Sequence, residues 1–67
     1  MNLILNGSSF DFSGTMLVAL LEARGIQAGQ GGIAVAVNER VVPRSRWGEL
    51  ELQAGDRIEI VKAIAGG

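Results

Sequence analysis

The groups in this chain that could move a proton are carboxylates: Asp11, Glu22, Glu39, Glu49, Glu51, Asp56 and Glu59. General acid and base work needs two of them converging in one cleft with their pKa values driven apart. No spacing here indicates such a cleft. Glu49 and Glu51 lie two residues apart, which on a strand would put both on one face, the pattern of a solvated edge. Histidine is absent, which removes the commonest general base together with the commonest metal ligand. Cysteine is absent too, so thiolate chemistry and disulfides are excluded. The residue types therefore argue against an enzyme with catalytic groups of its own and against a metal site.

Two other stretches stand out. In VPRSRW, Arg44, Arg46 and Trp47 sit together, and tryptophan and arginine are the residues most often found at interface hot spots. Trp47 and Arg44 are accordingly candidate docking residues, although a core this small also has use for a tryptophan lid with arginines lying over it. The second stretch is the end of the chain, KAIAGG, closing on Gly66 and Gly67. Glycine has no side chain to pack, so Ala65 to Gly67 are expected to form a flexible tail.

What must position these groups is one small domain spanning residues 1–67, too short to divide into two stable cores. Hydrophobic residues make up 48% and charged ones 19%, a globular balance rather than a disordered one. Six basic residues against seven acidic ones give a net charge of −1, so no nucleic-acid footprint is visible. No apolar run approaches the roughly 18 residues of a membrane span. With cysteine unused, a cytoplasmic location is expected.

The first element is a hairpin, NLILNGSSFDF, turning at Asn6-Gly7, with Leu3, Leu5, Phe10 and Phe12 directed to the core. A helix is predicted over about residues 15 to 24, its first turn capped by the Thr15 hydroxyl and its end set by Gly25 with Ile26 packing behind. Leu17, Leu20 and Leu21 form its apolar stripe. The glycine-rich stretch 25 to 32 lacks the Lys-Ser/Thr of a phosphate loop and leads into a strand, IAVAVN, rather than a helix. A second hairpin turns through Asn38 to Arg40, RSRWGEL is an irregular or single-turn link, and Gln53 to Asp56 make another turn.

The last strand, RIEIVKAI, alternates Ile58 and Ile60 against Arg57 and Glu59. Strict alternation leaves Val61 and Ala63 as apolar residues on the open face, a candidate docking surface; a small bulge would instead return Val61 to the core. The order hairpin, helix and further strands describes an α+β roll, with a mixed sheet of four to five strands packed against one main helix. It is compatible with the β-grasp, or ubiquitin-like, fold, in which the first and last strands pair in parallel at the centre.

VAVNERVVPRSRW, residues 35 to 47, and AGDRIEIVKAIAGG, residues 54 to 67, resemble the sulfur carrier proteins of thiamine biosynthesis, the ThiS family. The resemblance rests on Asn38, Val42, Pro43, Arg44 and Trp47 in the first segment, on Gly55 and Asp56 at the turn, and on Gly66 and Gly67 at the end. It implies a protein co-substrate: an adenylyltransferase of the ThiF or E1-like type would use ATP to activate the Gly67 carboxylate. A sulfur donor system would then convert it to a thiocarboxylate for thiazole synthase. ATP would belong to that partner, and this chain would bind no cofactor. The small subunit of molybdopterin synthase shares the fold and the terminal glycines; VPRSRW and the short length tip the choice toward the ThiS family, with a carrier of the molybdopterin type as the alternative. A ubiquitin-like interaction module is the reading from a different functional class.

Overall fold

Asn6 and Gly7 adopt left-handed conformations, φ 49° and 83°, as a two-residue hairpin with the twist of its flanking strands requires. They join β1 (Asn2–Leu5) to β2 (Ser8–Asp11), with Leu3 opposite Phe10. The computed structural model describes residues 1–27 and 31–62. The middle of the glycine-rich loop and the expected tail, with Ala63, Ala65, Gly66 and Gly67, lie outside the described residues.

Helix α1 (Leu17–Ala23) is shorter than the sequence indicated, and its start is built differently. Thr15 does not cap it: the N-cap residue is Met16, extended at φ −93° and ψ 141°, with no side-chain cap. Met16 instead bridges Glu51, the Leu17 N–H donates to the Leu50 carbonyl at 3.0 Å, and the Leu52 N–H donates to the Thr15 carbonyl at 2.7 Å. A distant segment thus satisfies a donor that a hydroxyl was expected to take. The helix end is as read. Gly25 is left-handed at φ 80°, its N–H reaches the Glu22 carbonyl, and the Ile26 N–H reaches Leu21, the paired bonds of a Schellman motif. Ile26 is buried, supplying the apolar contact that accompanies such a cap.

Strands β3 (Ile33–Val37), β4 (Arg40–Val41) and β5 (Arg57–Lys62) complete a five-stranded sheet ordered β2-β1-β5-β3-β4. β5 is central, parallel to β1 and antiparallel to β3, which is the β-grasp arrangement expected. Leu17, Leu20 and Leu21 of α1 join Leu3, Val35 and Ile58 in one buried cluster between helix and sheet. Burying each such side chain contributes roughly 2 kcal/mol, so a few of them decide whether a chain this small folds.

Between β4 and β5, Arg44–Arg46 form a single 3₁₀ turn that feeds Trp47 into the core. Glu49 and Glu51 do not share a strand face: Glu49 follows that turn and pairs with Arg46 at 3.1 Å, while Glu51 makes the bridge to Met16.

Candidate functional site

The end of β5 directs whatever follows it, so the site begins with how that strand is held. At its start, Asn38 sits in the β3–β4 turn at φ 52°. Its N–H donates to the Arg57 carbonyl at 2.7 Å, and its Oδ1 accepts from the Arg57 N–H at 3.0 Å. Its Nδ2 donates to Asp56 Oδ1 at 3.0 Å, while Asp56 Oδ2 accepts from the Gln53 N–H at 2.8 Å. The turn Gln53 to Asp56, with Gly55 at φ 88°, is thereby locked to the neighbouring hairpin.

Further along, β1 has turned away after Leu5, and Asn6 takes over its role. The Asn6 N–H donates to the Ile58 carbonyl at 2.9 Å, and Asn6 Oδ1 accepts from the Ile60 N–H at 2.8 Å. A residue in a parallel ladder bonds its neighbour's backbone in that same stagger, so the side-chain oxygen stands in for the carbonyl of a strand that has already turned. On the other flank β3 pairs with β5 along its length, from Val37 opposite Ile58 to Ile33 opposite Lys62. β5 is therefore gripped from both sides well past the end of β1.

β5 alternates as read. Ile58 is fully buried, Ile60 is half-buried, and Arg57, Glu59 and Val61 lie on the open face. No bulge returns Val61 to the core; it remains 60% exposed. Val61 stands opposite Ala34 on β3, and Ala36 stands opposite Val41 of β4, which is 74% exposed. Residues opposite one another share a face. The structure thus adds Val41, Ala34 and Ala36 to Val61 as one apolar strip. Sequence reasoning overlooked Val41 because a two-residue strand carries no alternation to read.

Trp47 is corrected as a docking anchor. It is 2% exposed, belongs to the buried cluster, and donates its indole N–H to the Val42 carbonyl at 3.1 Å, so it has no surface to offer a partner. Arg44 stays at the surface, its guanidinium 4.9 Å from the Trp47 ring centroid. Among the described residues no group of three His, Cys, Asp or Glu side chains could hold a metal ion. Among those residues, too, no helix is long and apolar enough to cross a membrane. The other residues missed were Asn6 and Asn38 as supports of β5. Their signal was present, since asparagine is the non-glycine residue best suited to left-handed turns, but which strand each would grip was not readable.

The arrangement is a central strand hydrogen-bonded on both flanks, with an apolar strip on its open face. It closely matches solved structures. The crystal structure of the thiamine biosynthesis protein ThiS of Geobacter metallireducens superposes with a TM-score of 0.80 over the whole of both chains at 28% identity. The solution structure of a thiamine biosynthesis protein from the same organism gives 0.77 at 30% identity, covering all of this chain and 88% of that one. Among curated proteins, the sulfur carrier protein ThiS of Escherichia coli is 45% identical over 38 residues, 57% of this chain and 58% of that protein. A thiazole synthase of Paramagnetospirillum magneticum is 38% identical over 68 residues, which is all of this chain but 20% of that protein. The chain therefore spans less than two thirds of the length of the curated relatives it matches. The sequence model of the ThiS family fits residues 3–67, through the two terminal glycines, and with the fold in agreement the chain belongs to the ThiS family.

Proposed function

We propose that this chain carries sulfur for the synthesis of the thiazole ring of thiamine, with the Gly67 carboxylate as the carrying group. The observation that carries this reading is the family match, which runs without interruption from the folded domain to the terminal glycines. A carboxylate is a poor electrophile. A ThiF-type adenylyltransferase would let a Gly67 carboxylate oxygen attack the α-phosphorus of ATP, with pyrophosphate leaving. Sulfur at the sulfide level, delivered as HS⁻ by the donor system, then attacks the acyl carbon, AMP departs with the bonding electrons, and a thiocarboxylate remains once the S–H proton is lost. Thiazole synthase consumes it. Gly66 and Gly67 suit that chemistry because a Cβ at either position would obstruct a narrow approach to the nucleotide.

In this scheme the chain is a co-substrate and contributes a carboxylate and a docking surface. The scattered carboxylates and the missing histidine and cysteine agree with that division of labour. The likeness to a thiazole synthase across the whole of this chain supports that enzyme as the consumer. Val61, with Ala34, Ala36 and Val41, is the surface on which the partner enzymes would dock, and exposed Arg44 is a second contact.

The test is intact mass after incubation with ATP, a sulfur donor and the adenylyltransferase. The expected result is the gain of one sulfur for one oxygen, absent when Gly67 is deleted. The circular dichroism of the truncated chain should be unchanged, because the buried cluster lies within residues 3–58. Unchanged mass in the full-length chain, or thiazole formation supported by the truncated one, overturns the proposal. Consumption of the charged protein by molybdopterin synthase rather than thiazole synthase would move it to the other pathway.

A further inference from the structure

On the helix side of the sheet, a groove of about 200 Å³ is lined by Asn6, Arg24, Ile26, Ile60 and Lys62. It holds two of the chain's six basic residues, and no acidic residue lines it. We propose that this groove is a docking contact for a carboxylate side chain of a protein partner, the adenylyltransferase; this rests on the function proposed above.

Three residues that carry donor groups line it from separate elements. Arg24 closes α1, and its guanidinium lies over the Phe10 ring, 5.9 Å from the centroid, so packing as well as charge locates it. Asn6 has its Oδ1 engaged by the Ile60 N–H, a donor that can face only the oxygen, which directs the other branch of the amide, Nδ2, away from that bond as a donor. Lys62 ends the described part of β5. Ile26 and Ile60 give the groove its apolar lining. Glu22, the acidic residue of α1, lines the adjoining depression with Gly25, Gln27 and the shared Ile26.

A protein carboxylate fits better than a free anion. Arg24 and Lys62 are both exposed, and water and salt screen such a pair within roughly 8 Å, so a lone ion would be held weakly. Beneath a docked protein the same pair is desolvated and gains strength. Lys62 directly follows Val61, and successive side chains of a strand point to opposite faces. A partner gripping the end of β5 would therefore meet the apolar strip on one side and this groove on the other.

The experiment measures association with the adenylyltransferase encoded in the same genome, at low and at high salt. It compares the unaltered chain with Arg24→Glu, Lys62→Glu, the double variant, and the milder Arg24→Gln and Lys62→Gln. Thermal melting of each variant checks the fold. The expected result is association slowed about tenfold in the double variant at low salt, the difference shrinking to within about twofold at high salt. Equal association of the double variant and the unaltered chain at low salt overturns this inference and leaves the carrier function standing. An unaltered chain that neither binds the enzyme nor is charged by it overturns both. Inorganic phosphate that shifts the Asn6 side-chain amide resonances, with partner association the same in every variant, identifies a small-anion site and also overturns the inference.

Discussion

Asn6 has two roles that few other side chains combine. It occupies a left-handed turn position, and its oxygen replaces a strand carbonyl for the Ile60 N–H. Asn6→Gly keeps the turn and removes only the second role, so it is expected to cost about 1 kcal/mol in urea unfolding and to speed exchange of the Ile60 amide. If that amide exchanges at the same rate in the variant, the side chain is not holding the strand. Trp47 shows the opposite situation, one residue with a single large effect. Trp47→Ala leaves a cavity costing about 3–5 kcal/mol, comparable with the whole stability of a small domain, and the chain is expected to be largely unfolded at room temperature by circular dichroism.

At the scale of elements, the two ends of α1 are built on different principles. The C-terminal end is local: Gly25 is left-handed and two backbone bonds close on it, so Gly25→Ala is expected to cost about 1–2 kcal/mol in urea unfolding. The N-terminal end depends on a distant segment, the Leu50 carbonyl and the Met16 bridge to Glu51. Thr15→Ala should therefore change stability by under about 0.5 kcal/mol, against about 1 kcal/mol for the loss of a real hydroxyl cap. This difference explains why the sequence placed the helix end correctly and its start two residues early. A glycine states its conformation in the sequence, whereas a threonine before a leucine run suits either a cap or an extended bridge. Only the partner segment, residues 50 to 52, selects between them.

For the whole molecule, the consequence is a division between the helix-covered face of the sheet and the open one. Val61 and Val41 are 60% and 74% exposed, so replacing either with aspartate removes little folding energy. Val61→Asp is expected to melt within a few degrees of the unaltered chain while binding the adenylyltransferase at least about tenfold more weakly, because a docked partner would bury that charge unpaired. Titration calorimetry beside a thermal melt separates the two effects. A variant that binds normally would remove the apolar strip from the docking surface.

Periodicity and turn chemistry determined the elements: alternating Ile58 and Ile60, the leucine stripe of α1, Asn6-Gly7 and Gly25 each act over a few residues, within reach of a linear reading. VPRSRW and the terminal glycines determined the family in the same local way. Tertiary structure decided what depends on residues far apart in the chain meeting. It buried Trp47, a residue type equally suited to a core and to an interface, once the 3₁₀ turn had carried it beneath Val42. It set Val41 and Val61 on one face because β3 lies between their strands. It also gathered Asn6, Arg24 and Lys62 around one groove, since the parallel pairing of β1 and β5 brings β5 past the first turn. Contacts of that kind depend on which strand lies beside which, and that order is settled only when the shared core is buried.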